Sequence, residues 1–308
     1  MTKQIDIFDR QLLRLRRERA TNSLPEHNFL FNELAKRLVD RLADIRRNFS
    51  MALDIGCHNG FMAKEIKHLP EEKISFLIQT DLSTGMAKEA KNKTGVTSIA
   101  ADEEFLPFRD ATFDLIISCG SLHHVNDLPG TLIQIKRALK PDGVFLAALF
   151  GGSTLLELRQ AWLVAESAKK GGVSPRVSPF IDLREAAGLL QRAGFALPVA
   201  DIDTLTVTYR NPIKLMSDLR GMGESNVMLD REKIPTRGDT LKAVSQEYMT
   251  LFANNQGEMP ATFQIIYLTG WSPENNQPKA LAPGSASVRL ADVLEVDEYS
   301  TGESVEPY

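Results

Sequence analysis

Cysteine is scarce in this chain: of 308 residues only Cys57 and Cys119 carry thiols, and they form no CxxC pair. That excludes a disulfide-stapled scaffold and a zinc knuckle, and it points to a reducing compartment. Long apolar runs are missing too. No stretch reaches the roughly 18 residues of a membrane span, and the start MTKQIDIFDR has no signal-peptide apolar core. The expected location is the cytoplasm of a bacterium, or the matrix for a mature mitochondrial protein. Positive charge is not in excess, with 36 Lys plus Arg against 40 Asp plus Glu and a net charge of -4. Nucleic acid is therefore not the expected partner. Apolar residues are plentiful at 43%, enough for one sizeable α/β domain with an elaboration.

The most informative stretch is MALDIGCHNG, residues 51–60. An apolar run leads into Asp54, then Gly56 and Gly60 bracket a polar turn before the helical FMAKEIKHL. Glycine lets backbone approach a ligand closely, and the helix start exposes unpaired N–H groups with partial positive charge. A nucleotide-like cofactor suits such a turn. The spacing Gly56, His58, Gly60 misplaces the glycines of the dinucleotide fingerprint, so a pyrophosphate is a poor fit. D-x-G-x-x-x-G instead resembles motif I of class I S-adenosylmethionine-dependent methyltransferases, with His58 where that family usually has a third glycine.

The strands downstream of this turn come in the matching order. ISFLIQTD (74–81) reads as a second strand ending in Asp81, whose carboxylate suits both ribose hydroxyls. Its other reading is the N-cap of the next helix, although Ser83 could serve that turn. Strand three, Val96 to Ala101, delivers Asp102, followed by apolar Phe105, Leu106 and Phe108 that could hold an adenine ring. Strand four, Phe113 to Ser118, exits through Cys119 and Gly120 to His123 and His124. LKPDGVFLAALF (139–150) supplies a helix end, a Pro-Asp-Gly turn and a fifth strand. Alternating strands and helices predict a parallel sheet with ligands at its carboxyl edge.

The flanks are plainer. Arg10, Arg14, Arg16, Arg17 and Arg19 alternate with Leu12, Leu13 and Leu15, which reads as a solvated helix whose leucines pack down and whose charge suits an acidic protein substrate. Apolar residues at helical spacing from Phe31 to Ile45 predict a cover helix. Beyond Phe150, helices are expected over 151–172, 182–193 with Gly194 as its stop, 212–219 and 239–252. FALPVADIDTLTVTY (195–209) reads as strand interrupted by Pro198, and ATFQIIYLTGW (261–271) as a late strand. The expected organisation is an arm and cover over 1–48, a cofactor-binding core over 49–150 and a lid over 151–258. A returning strand over 259–271 and a largely disordered tail over 272–308 complete it, the last acids lacking any base to pair with.

The chain resembles class I methyltransferases over residues 50–150 through LDIGCHNG, QTDLS, ADEEFLPF, TFDLIISCGSLHHVNDLP and LKPDGVF. With FGGSTLLELR, VSPRVSPF, DLRGMGESN and PATFQIIYLTGW, it is similar from about Phe8 to Leu294 to the complex I assembly factor 5 family. That resemblance implies an α/β, doubly wound, mostly parallel seven-stranded Rossmann-like sheet with an α-rich lid. Its implied activity is hydroxylation of an arginine in the iron–sulfur subunit of respiratory complex I, with arginine methylation as the reaction the fold itself suggests. Malonyl-acyl-carrier-protein methyltransferases of biotin synthesis, with acyl-carrier protein as partner, and a non-catalytic assembly chaperone are the alternatives.

Carried over by position, Asp54, Gly56, Cys57 and Gly60 face the methionine end of S-adenosylmethionine. Asp81 and Leu82 would meet the ribose, Asp102 and Glu103 the adenine, and Ser118 the sulfonium. His123 and His124 would face the substrate, His124 standing where tryptophan is expected. No base carries over. No metal set is expected: Cys57 and Cys119 read as small wall residues, and no spaced pair of histidines with a carboxylate is visible.

Overall fold

Seven strands form one mixed sheet in the computed structural model, which describes residues 6–274, 277, 285 and 287–297. In chain order, α1 (Arg10–Ala20), α2 (Leu24–His27) and α3 (Phe29–Asp44) precede β1 (Ala52–Ile55), α4 (Phe61–Ile66), β2 (Leu77–Asp81), α5 (Thr84–Thr94) and β3 (Thr97–Ala100). Then come β4 (Phe113–Cys119), α6 (Leu128–Ala138), β5 (Leu139–Phe150), α7 (Leu156–Lys170), α8 (Leu183–Arg192) and β6 (Ala196–Tyr209). Helices α9 (Pro212–Met222) and α10 (Gly238–Phe252) lead to β7 (Met259–Trp271). A separate unit begins at Glu274 and includes α11 (Leu290–Leu294), none of whose residues is buried. The acid-rich end lies outside the described residues from 298 onward.

The strand order is β3-β2-β1-β4-β5-β7-β6, parallel except where β7 runs antiparallel to β5 and β6. This is the expected doubly wound sheet, and the late strand does insert between the fifth and sixth. Alternation along the strands splits the core in two. Val144, Leu146 and Ala148 of β5 face a cluster with α3, α7, α9 and α10, while Phe145, Ala147 and Leu149 face α6 and α8. Within 151–258, α8 and β6 thus belong to the sheet layers, and α7, α9 and α10 are left to cover one face. The break expected at Pro198 is a register shift between Ala196 and Val199 on an edge strand, where a residue lacking an N–H is tolerated.

The two last strands are long. β5 pairs with β7 only from Ile265 onward, whereas β6 pairs with it from Met259. Residues 259–264 therefore form, with 204–209 of β6, a two-stranded ribbon that overhangs the sheet. It carries α9 and α10 at its far end, and the Tyr248 hydroxyl of α10 donates to Pro260 O at 2.7 Å.

Ile265, fully buried between β5 and β6, and Ile202, 42% exposed on β6, give opposite expectations. Ile265→Ala should cost about 2 to 5 kcal/mol by urea unfolding, and Ile202→Ala less than about 1 kcal/mol. Equal losses would place the load of the core elsewhere.

Candidate functional site

Parallel strands gather their exits at one edge. Gly56 (φ 69) and Gly60 (φ 85) hold the left-handed turn after β1, and a Cβ on Gly56 would stand 2.1 Å from Ser121 Oγ. His58 shares the left-handed region at φ 48. Its N–H donates to Asp81 at 3.0 Å, and its ring lies against Phe31 and Phe61. Burial, with Arg17 nearby, pushes His58 down to about 3, so the ring is neutral and its Nε2–H donates to Gly120 O at 3.1 Å.

Asp81, fully buried, also accepts from Ser83 N at 2.8 Å. The N-cap of α5 is Ser83, whose Oγ accepts from Met86 N, which leaves Asp81 free of that duty. Burial raises the Asp81 pKa, and Arg17 opposes the rise from 3.7 Å. Glu103 accepts from Arg17 Nη1 and Ser121 Oγ, each at 2.6 Å, and pairs with Arg10. Burial alone would raise Glu103, but Arg17 and Arg10 outweigh it and hold the carboxyl well below its usual range. Asp102 pairs with Arg10 as well. Ser118 Oγ donates to Ile55 O at 3.0 Å, inside the sheet. Leu82 packs beside Leu12 on a cluster with Phe8, Leu13, Val227 and Met228. Both Cys57 and Cys119 are buried, and burial pushes each thiol up, so neither is a thiolate.

The arginine-rich helix differs from the expectation. Arg17 is 1% exposed and Arg10 reaches three acids, so α1 is not a solvated basic arm. The helical repeat puts Leu13, Arg17 and Ala20 on one inward face, and Glu103 and Asp81 lie beneath Arg17. Sequence pattern gives five arginines alike and cannot tell which one turns inward.

A second cluster follows β4. The 3-10 turn Leu122–His124 presents two buried imidazoles with ring centroids 4.3 Å apart. Glu224, after α9, lies 3.0 Å from His123 Nε2 and 3.7 Å from His124 Nδ1. Burial would raise Glu224, but His123 and His124 hold it down at about 2, with Arg17 helping. Burial, then His123, pushes His124 well below the usual imidazole range. Sequence reasoning misses Glu224. It lies in DLRGMGESN, a hundred residues from the histidines, and only the position of Gly223 (φ 84) at the end of α9 marks a sharp turn there.

His124 and Glu224 also border a cavity of about 670 Å³ between α1, α7, α9 and the segments around 176–180 and 225–236. Phe150, Trp162, Phe180 and Phe263 supply its apolar wall. Arg176 lies over Trp162 and pairs with Glu166 and Glu232. Arg16 has its Nη1 buried without a partner, and burial together with Arg231, Arg19 and Arg220 pushes it down to about 10. The structure thus brings Asp81, Asp102 and Glu103 together under α1, while His124 and Glu224 border the cavity that Arg16 of the same helix lines.

The methyltransferase domain family matches residues 53–147. The chain is 40% identical over 295 residues to the mitochondrial arginine-hydroxylase NDUFAF5 of Danio rerio, covering 95% of this chain and 91% of that one. It is 30% identical to the malonyl-[acyl-carrier protein] O-methyltransferase of Xylella fastidiosa, covering 90% and 95%. Among solved structures, the YcgJ protein of Bacillus subtilis shares the fold with a TM-score of 0.52 at 21% identity, over 78% of this chain and 99% of that one.

Asp54 gives the site a pH signature. Its carboxylate is fully buried, and among the described residues neither oxygen has a hydrogen-bond partner. Burial pushes it up to about 7, the Gln79 amide opposing and Asp81 adding to the rise. A group raised in the fold contributes fully below its unfolded pKa of about 4, and that contribution is lost as pH rises through 7, on the order of 4 kcal/mol in all. Asp54→Asn removes the titration. Its stability relative to the parent chain should therefore grow between pH 4 and pH 8 in thermal unfolding; a difference independent of pH would refute the assignment.

Proposed function

Because this chain belongs to the arginine-hydroxylase NDUFAF5 family, among the enzymes of the methyltransferase superfamily, we propose that it binds S-adenosylmethionine and modifies an arginine of a protein partner. The partner is the iron–sulfur subunit of a complex I under assembly. The observation that carries this reading is the extent of the likeness, 95% of the chain, which takes in α7, α9, α10 and the cavity as well as the sheet. The aromatic wall of the cavity suits a guanidinium. The more exposed Arg231 and Lys233 suit acidic chain around it.

When bound, S-adenosylmethionine supplies a methyl group activated on sulfonium. The groups that would hold it are acceptors, Asp81 for the ribose hydroxyls and Asp102 and Glu103 for the adenine amine, while the Gly56 and Gly60 turn would allow close approach. Asp54, Cys57, Leu82 and Ser118 would complete the set. The space between them is taken by Arg17, His58 and Ser121. Binding therefore requires α1 to withdraw Arg17, freeing Asp81 and Glu103 to accept from the ligand.

Two measurements bear on this. Calorimetry should find Asp81→Ala weaker for S-adenosylmethionine by roughly 10- to 100-fold, the loss of a charge-assisted acceptor, and the ligand should speed amide exchange over residues 10–20. Equal affinity, or an α1 that stays protected, would sink the ribose assignment or the withdrawal of α1 respectively.

The intact mass of the subunit, from cells with and without this gene, tests the substrate. A gain of one oxygen supports hydroxylation and a gain of one methylene supports arginine methylation. No gain, with biotin auxotrophy, would favour malonyl-thioester methylation on acyl-carrier protein; no gain without it, and no cofactor binding, would leave an assembly chaperone.

A further inference from the structure

We infer that His123, His124 and Glu224 form a binding site for one divalent transition-metal ion, iron(II) foremost. Two imidazoles and one carboxylate place their ligand atoms within 4.8 Å of one another. Around an ion about 2.1 Å from each ligand, neighbouring donor atoms stand about 3 to 3.5 Å apart, and Glu224 lies 3.0 Å from His123 Nε2 and 3.7 Å from His124 Nδ1. Small rotations of these side chains close the set onto one point.

Two further observations favour an ion over a plain buried ion pair. His124 Nδ1 is buried and, among the described residues, has no hydrogen-bond partner, so the tautomer that carries its proton on Nε2 offers a lone pair to a Lewis acid. His124 and Glu224 border the cavity of about 670 Å³, so that an ion there would keep open coordination positions toward whatever enters. That combination of two histidines, one carboxylate and open positions is the donor set of non-haem iron(II) sites. Cys57 and Cys119 take no part; both are buried, protonated thiols. The proposed site departs from the expectation of no metal set, because the carboxylate comes from a turn a hundred residues away.

The site stands on geometry alone, and rests on the proposed arginine reading only for the use made of the ion. Full-length protein stripped with a chelator and titrated with cobalt(II) should develop visible ligand-field absorption saturating at one equivalent, and iron(II), the weaker binder of the two, should displace it only in excess. Glu224→Gln keeps an acceptor for His123 but loses the charge, and His124→Gln loses a ligand. Each should weaken cobalt binding by more than about tenfold while retaining the parent far-UV spectrum. Absence of the absorption in the parent chain, or undiminished binding in both variants, overturns the site. Should either variant fail to fold, the parent titration with and without competing iron(II) still decides. Cobalt binding with no change in the mass of the partner subunit keeps the site and defeats the arginine reading. A modified arginine from protein that binds no metal does the reverse.

Discussion

The contact between Arg17 and Glu103 constrains everything around it. Both side chains are 1% exposed, and removing two charges from water costs several kcal/mol per ion, recovered only when the geometry is good and the remaining polar atoms are satisfied. Here Ser121 bonds both partners, Asp81 lies 3.7 Å from the guanidinium and Arg10 closes the outer side. One guanidinium thereby ties α1 to the ends of β2, β3 and β4. Losing either partner would strand the other, at about 3 to 5 kcal/mol, so the helix cannot leave unless something else compensates the acids.

The next residue on α1, Arg16, faces the cavity, while Arg17 faces the motif acids. About 100° of helix rotation separates them, and α1 acts as a partition between the two clusters. Leu13 and Phe8 hold the partition in place against Val227 and Met228, with Phe8 bridged to Met228. The segment after α9 that supplies Glu224 is therefore also the segment on which α1 is seated. A shift of the helix is felt at both clusters, because they share these contacts.

The sheet was legible because buried parallel strands write themselves as apolar runs ending in turn residues, as in MALDIG and ISFLIQTD. The inserted β7, though antiparallel, was legible because its middle, Ile265 to Leu268, is a buried apolar run. Two things were not. The burial of Arg17 depends on which face of a uniformly basic helix turns inward, and composition does not encode it. The meeting of Glu224 with His123 and His124 joins residues 101 and 100 apart, and such long-range pairs leave no period to read. Fold likeness is no substitute, since one architecture hosts many chemistries and the chemistry lies in what the loops bring together. His58 shows both sides: its position marked the motif, but only its packing on Phe31 and Phe61 shows that the groove is filled.

The overhanging ribbon of β6 and β7 behaves as a cantilever. Its six paired positions beyond β5, Thr204↔Gln264 to Tyr209↔Met259, reach about 20 Å at strand spacing and set how tall the cavity wall stands. Phe263 turns into that wall, while its neighbours turn away. Lengthening or shortening the ribbon by one residue per strand would swap the faces and expel Phe263. Two residues per strand would keep them. The height of this wall can therefore change without swapping its faces only by even, parity-preserving steps, while the sheet below stays fixed.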